Sequence, residues 1–491
     1  MTRNRIRPSV GFLTPFTKMQ VLIALFALAA LVWLVPMIQH GRLMLVAMAV
    51  LGVGTVLGPA FFAVDGPIQI SLDRVLWGAM FALAAIGWRM GNVRLPKLNR
   101  LDWMVVGVVG WFFIRAAMGG AVPDGSSPVA RWLFYIAMPA GMYLIARLVT
   151  VQQQDIQIMM IGMVGLGLYL AVTAVFEVYG VHGLVFPRYI VDGEVWEFFG
   201  RGRGPLMNPS GNGILISIAL VAAALGFVYA GRRGKLVYAV IVTVLMVGLY
   251  ATLTRSAWMG GIAAIGLVAM LYSPRWVRVL GLAMVVLFGG AFVMGLKDQL
   301  VQMKRDKNLT AADAQKSMAL RPLLAIVAWE MFKDRPIAGH GFGHYFAHND
   351  PYHSQRGYDL PLEIARPYNQ HNVVLSVLVD TGLVGASLFV GWLVSLMGVG
   401  WRLVREANRK PEVRCTGVML LGTMIAYLIN GMFQDVLIIP MVHMFLFYIA
   451  GVAVTVRECE MVIKVPENAK SPALRGAAAN GYVSAQVPAS S

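Results

Sequence analysis

Apolar runs about 20 residues long alternate with short polar connections along most of this chain, and one long polar stretch interrupts them. The runs lie at about 19–38, 43–63, 72–88, 103–118, 130–149, 156–180, 212–230, 235–252, 257–272, 277–295, 373–400, 415–432 and 436–456. A helix of roughly 20 residues crosses about 30 Å of hydrocarbon. Lipid offers the backbone no hydrogen-bond partners, so only helices or closed barrels span it, and runs this continuous predict helices. The pattern predicts an all-α, polytopic membrane protein of about 12 transmembrane helices. Three parts follow: a cytoplasmic N-terminal segment at 1–18, a membrane-embedded domain at 19–463, and a disordered tail at 464–491, rich in Ala, Ser, Gly and Pro.

The interruption runs from Leu296 to Asn372 and holds five of the eight histidines. A connection this long between spanning helices is more often functional than filler. Lysine and arginine give its side of the membrane. Connections holding Arg89, Arg94, Lys97 and Arg100, then Arg232, Arg233 and Lys235, then Arg275 and Arg278, then Arg402, Arg405, Arg409, Lys410 and Arg414, agree in helix parity and are expected inside. They place 181–211, the turn near Arg255 and the large loop 296–370 outside. Counting backwards puts the basic N-terminus (Arg3, Arg5, Arg7) outside too, so one of the first two runs is expected not to span, or the terminus departs from the rule.

Composition sharpens this picture. Only 13% of residues are charged, against roughly 25% in soluble domains, 58% are hydrophobic, and the mean hydropathy is +0.68. The net charge of +17 raises nucleic acid as a partner, but the basic residues fall mostly in the short connections, so none is expected. Cys415 and Cys459 lie near segment ends on the inner side and imply no disulfide framework. The basic stretch 1–18 is followed by a run long enough to stay in the membrane, so no cleavable signal is expected. No internal repeat is evident, which weakens a transporter reading.

Three expected outer-face arginines stand beside turn signals. Arg203 lies in GRGRGPLMNPSGNG at 200–213, where small residues let backbone amides approach an anion at a helix start. Arg255, in TLTRSAWMGG at 252–261, sits in a short turn between greasy helices and must snorkel, pair or face a wet cavity. Arg321 opens RPLLAIVAWEMFKDRPIAGHGFG, with Pro322 suited to a first helical position. The bland readings are a flexible loop, an interfacial anchor beside Trp258 and an exposed side chain. His371 begins HNVVLSVLVDTGLVG, where the polar stretch returns to the membrane; an imidazole there titrates near neutrality and could take a proton from a sugar hydroxyl. His340, His344 and His348 are four apart, but Gly339, Gly341 and Gly343 argue against a helix, and no metal site is expected. Asp73, Arg74, Arg115, Glu177 and Asp380 are candidates for buried pairs.

These stretches resemble a known family. RPYNQHN running into HNVVLSVLVDTGLVG resembles the His-Asn plus Gly-x-x-Gly signature of the bacterial O-antigen ligase and O-antigen polymerase superfamily. TLTRSAWMGG resembles its Ser-Arg-Gly-Ala-Trp turn, here Thr-Arg-Ser-Ala-Trp. Arg321, Trp329 and then DRPIAGHGFGHY resemble its Arg, Trp and Pro-x-x-Gly-x-Gly block. The Arg203 to Pro209 stretch is similar to its Arg-x-x-Gly-x-x-x-Asn-Pro-Asn entry, with altered spacing and last residue. The resemblance covers about 200 to 385. It implies a metal-independent glycosyltransferase of the bacterial inner membrane, needing no cofactor, with its active site facing the periplasm. The donor would be a glycan on undecaprenyl pyrophosphate, the acceptor a sugar hydroxyl on lipid A core or another glycan, and membrane lipids the surroundings. Arg203, Arg255 and Arg321 would bind the pyrophosphate, and His371 would act on the acceptor. The rivals are a polymerase of the same superfamily, a transporter or flippase for polyprenol-linked glycans, and a receptor whose outer loop binds a partner.

Overall fold

The computed structural model describes residues 43–291, 311–405 and 410–463, apart from 60, 62, 65–69, 94, 121, 123–126, 150, 196 and 355–356. The segment 1–18, the run 19–38, the start of the long loop and the tail 464–491 lie outside the described residues. The helices are α1 (Leu43–Val56), α2 (Leu72–Arg89), α3 (Arg100–Ala117), α4 (Pro128–Arg147), α5 (Gln153–Tyr179), α6 (Pro209–Tyr229), α7 (Arg232–Ala251), α8 (Arg255–Tyr272), α9 (Arg275–Ala291), α10 (Ala311–Asp334), α11 (Val373–Arg405), α12 (Pro411–Gly431) and α13 (Pro440–Ile463). Among the described residues the only strands are a two-residue antiparallel pair, Ala63–Val64 with Ile70–Ser71. This is an all-α, polytopic architecture. Twelve of the thirteen apolar runs coincide with helices; among the described residues eight helices are long and apolar enough to cross a membrane.

The centre of the bundle is α6, α12 and α13, whose side chains are buried nearly all round, as expected of helices wrapped by other helices rather than by lipid. Large apolar residues on α7 and α9, such as Leu236, Val240, Trp276 and Val279, remain exposed and fit a lipid-facing rim. Close helix approach relies on small residues: a Cβ at Gly248 would meet Ala171 at 2.2 Å, and one at Gly213 would meet Ala257 at 2.4 Å.

At one end of the bundle, residues 311–370 fold into a cap. Leu320, Leu323, Leu324, Val327, Ala328 and Met331 of α10 form a second small core with Tyr345, Leu362, Ala365 and Val379. The loop is therefore a packed subdomain with its own helix. Pro322 lies inside α10, so Arg321 is not at a helix start as its sequence suggested.

The cap is fastened to α11 where that helix breaks. Gly382 has φ 66 and ψ −168, and the break frees carbonyls and amides that must find partners inside the protein. Residues 336–343 wedge into it. His340 and Gly341 donate to the carbonyls of Val379 and Asp380 at 2.8 and 2.9 Å, and Leu383 and Val384 donate to Pro336 and Ile337 at 2.8 and 3.3 Å. Trp111 Nε1 covers the Thr381 carbonyl at 3.0 Å. A Cβ on Gly382 would come 2.3 Å from the Ile337 oxygen, which explains the first glycine of the Gly-x-x-Gly pair.

Candidate active site

The cap end gathers the N-termini of α6, α8, α11 and α13 around the turn 430–439. Asn208 caps α6 by accepting from the amides of Ser210 and Gly211 at 3.0 Å each. Asn372 caps α11 by accepting from Val374 and Leu375 at 2.9 and 3.1 Å. No side chain caps the first turn of α8, where Arg255 is the first residue. The uncapped first turn of α8 and the aligned helix dipoles favour an anion at this end.

Arg255, Arg321 and His371 come together here. Arg321 lies over the Phe433 ring, 5.2 Å from guanidinium carbon to centroid, and Asn372, next to His371, donates to the Met432 carbonyl at 3.3 Å. Arg321 and the residue after His371 thus touch neighbouring residues of one turn. Arg255 enters from α8, where Asn430 packs on Gly260 one turn further along. Partial burial, and secondly the charge of Arg255, lower the pKa of Arg321. Burial, and secondly the guanidinium of Arg321, push the His371 imidazole below its ordinary value of 6.5, which favours the neutral ring near pH 7. His371 has φ 48. Of the four non-glycine residues with positive φ among those described, Met207, Leu253 and His371 lie in the candidate motifs and Phe198 lies two residues before one. Such strain persists only where surrounding structure enforces it.

Arg203 is placed differently. It is 1% exposed, and its five N–H donors all go to main-chain carbonyls: Ile190 twice, Asp192, Val195 and Glu197. Its own amide donates to Glu177, as does that of Gly204. The planar fork expected to grip pyrophosphate instead holds the 190–197 loop in shape. The arginine that reaches the site is Arg201, whose Nη2 donates to Thr254 Oγ1 at 2.6 Å, beside Arg255. The sequence carried a signal for it. Counted back from Asn208-Pro209, the Arg-x-x-Gly-x-x-x-Asn-Pro spacing is met without alteration from Arg201.

This assignment has a measurable consequence. Arg203→Met takes the donor from four carbonyls, of which that of Ile190 belongs to a buried residue, and should lower stability by about 2–4 kcal/mol, seen as a fall in thermal unfolding temperature. Arg201→Lys should fold normally and lose donor affinity. An Arg203→Met protein of wild-type stability that no longer binds donor would return Arg203 to the site.

Other nominated charges serve the scaffold. Asp73 accepts from Ser71, Arg74 lies over Phe134, Arg115 donates to the Gly339 carbonyl, and Asp380 accepts the Gly343 amide. The strongest buried ion pair, Arg147 with Asp102 at 3.0 Å, was not anticipated and lies at the other end of α3 and α4. His340 and His348 sit 5.6 Å apart between ring centres, and among the described residues no three His, Cys, Asp or Glu side chains are arranged to hold a metal. The turn Asn430-Gly-Met-Phe-Gln-Asp435 was also missed, being short and polar between two apolar runs.

Residues 239–390 match the family model described as O-antigen ligase. The match supports placing that stretch in the O-antigen ligase and polymerase superfamily. The O-antigen ligase match takes in Arg255, Arg321, the cap and His371, and ends just past the α11 break. It supports enzymatic activity of the ligase or polymerase type, with lipid-linked glycan and acceptor substrates in general. No curated protein matches the chain closely.

Proposed function

We propose that the protein transfers a glycan from an undecaprenyl-pyrophosphate carrier to a sugar hydroxyl at the cap end of the bundle, as an inner-membrane enzyme whose cap faces the periplasm. The observation that carries this reading is the meeting of Arg255 and His371 about Arg321, which lies on the ring of Phe433.

A pyrophosphate leaving group needs its growing negative charge stabilised. Arg255 and Arg321, joined by Arg201, supply planar donors that stay charged, beside the open N-terminus of α8. In a water-poor site such donors act without reorganising. His371, neutral near pH 7, takes the proton of the acceptor hydroxyl as that oxygen bonds the anomeric carbon, and the carrier departs as the pyrophosphate. Displacement from the opposite side inverts the anomeric configuration. An apolar cavity of about 410 Å³, lined by Leu168, Val172, Phe176 and Leu184 among others, lies on α5 within a turn or two of Glu177 and offers a place for the lipid chain.

A transporter would need charges along a path open to both faces. The charges at the opposite end instead close on one another, with Arg147 held by Asp102 and Glu458. Glycan profiles of a deletion strain test the proposal. Lipid-linked polymer accumulating unattached indicates a ligase, and accumulating single repeats indicate a polymerase. Lipid-linked glycan trapped on the cytoplasmic face would contradict both and favour a flippase.

The orientation has its own check. In a background lacking Cys415 and Cys459, single cysteines at the exposed positions 193 and 350 should react with an impermeant thiol reagent in intact spheroplasts. Protection at 350 would overturn the assignment of the cap to the periplasm.

A further inference from the structure

Arg321 and His371 stand on two helical segments joined at the base by the wedge 336–343. From Arg321, α10 runs to Asp334 and leads directly into the wedge. From His371, the first part of α11, residues 373–381, runs to the break that the wedge fills. Between these points Leu324, Val327, Ala328 and Met331 pack with Val379 and Leu375. The result is a two-legged frame, with the two functional residues at its open end and one joint at its base.

Asp380 holds that joint. It is 7% exposed, and its Oδ2 accepts the Gly343 amide at 3.0 Å, while the Gly343 carbonyl accepts from Arg131 Nη1 at 3.0 Å. The Gly343 peptide is therefore gripped on both sides. A Cβ on Gly339 would come 2.6 Å from the Asp380 carbonyl carbon and the Thr381 nitrogen, so the wedge has no room to slide. Ser376, one turn above Asp380 on the same face, donates to Asp435 at 2.8 Å and ties this leg to the turn that carries Phe433.

We propose that Asp380 is a positioning residue for the transfer reaction: its grip on the Gly343 amide seats the wedge, and the seated wedge fixes His371 relative to Arg321. This rests on the function proposed above. A site that must bring a base within hydrogen-bond reach of a hydroxyl is sensitive to displacements of about 1 Å. Arg321 over Phe433 and Asn372 on Met432 keep their contacts without this joint, so its loss falls on the alignment of the two legs and hence on the chemical step.

The test uses the full chain in lipid nanodiscs with a polyprenyl-pyrophosphate-linked glycan as donor. Asp380→Ala should lower kcat about tenfold or more while the donor KM changes less than about twofold, because the base and Arg321 keep their contacts and lose only their mutual alignment. Asp380→Asn keeps an oxygen that accepts the Gly343 amide and should recover kcat to within about threefold of wild type. Wild-type kcat in Asp380→Ala, an Asn variant as slow as Ala, or a loss confined to KM would each overturn the proposal. If the alanine variant does not fold, Asp380→Glu keeps the acceptor but is one methylene longer, and unchanged kcat there overturns it equally. Hydrogen exchange separates this proposal from the one beneath it. Asp380→Ala should speed exchange at 336–343 and 373–381 but not in α6 or α12. Unchanged exchange there sinks the clamp even if the transfer assay shows no activity in any variant, a result that would itself sink only the proposed function.

Discussion

His371→Ala should lower turnover about 100-fold or more while leaving folding and donor binding largely intact. A sugar hydroxyl is a poor nucleophile, and a neutral imidazole within hydrogen-bond reach removes its proton as the new bond forms. The structure gives the imidazole the state this requires, since burial and the adjacent Arg321 both disfavour protonation. The sign follows directly. The base works when deprotonated, so kcat/KM should fall as the pH drops through a pKa below 6.5, the ordinary value for the group. His371→Gln separates two roles, because an amide can hydrogen-bond a hydroxyl but takes up no proton. Recovery of most activity in the Gln variant would mean that His371 only orients the acceptor. Loss of donor binding in both variants would move it into the pyrophosphate site.

Arg255→Lys and Arg321→Lys should each cost about 2–4 kcal/mol of transition-state stabilisation, roughly 30- to 1,000-fold in rate. Lysine keeps the charge but loses the planar fork that meets two phosphate oxygens at once. Arg321 also loses its stacking on Phe433. Steady-state kinetics at matched expression decide the matter. Near-normal rates in both variants would make these residues interfacial anchors and leave the pyrophosphate to other groups.

The helices were legible because a 20-residue apolar run has few alternatives in lipid, and the order of the motifs was legible because each sits at a turn. What escaped the sequence was three-dimensional. Arg201 and Arg203 are two residues apart in one glycine-rich stretch, and only the fold shows which one turns inward to four carbonyls and which reaches Thr254. Asp380 reads as an intramembrane charge in search of a cation, whereas its partner is a backbone amide 37 residues away. Phe433 and Asp435 carry no signal of their own, since their roles exist only once α12 and α13 bring the turn between them under the cap. The wedge shows the same limit: its glycines predicted a loop, but the helix break that the loop fills is specified jointly by Gly382 and by residues some 40 positions earlier.

The central claim, that the arginine–histidine site moves a glycan from a pyrophosphate carrier to a hydroxyl, is tested most directly by reconstitution. Purified protein in lipid nanodiscs would be given a polyprenyl-pyrophosphate-linked glycan and a glycan acceptor, with neither nucleotide nor divalent metal added, and the product's anomeric configuration read by NMR. The account predicts transfer with inversion, release of polyprenyl pyrophosphate, and loss of both in His371→Ala. Transfer with retention, or donor that is bound and moved across the bilayer without being cleaved, would contradict it.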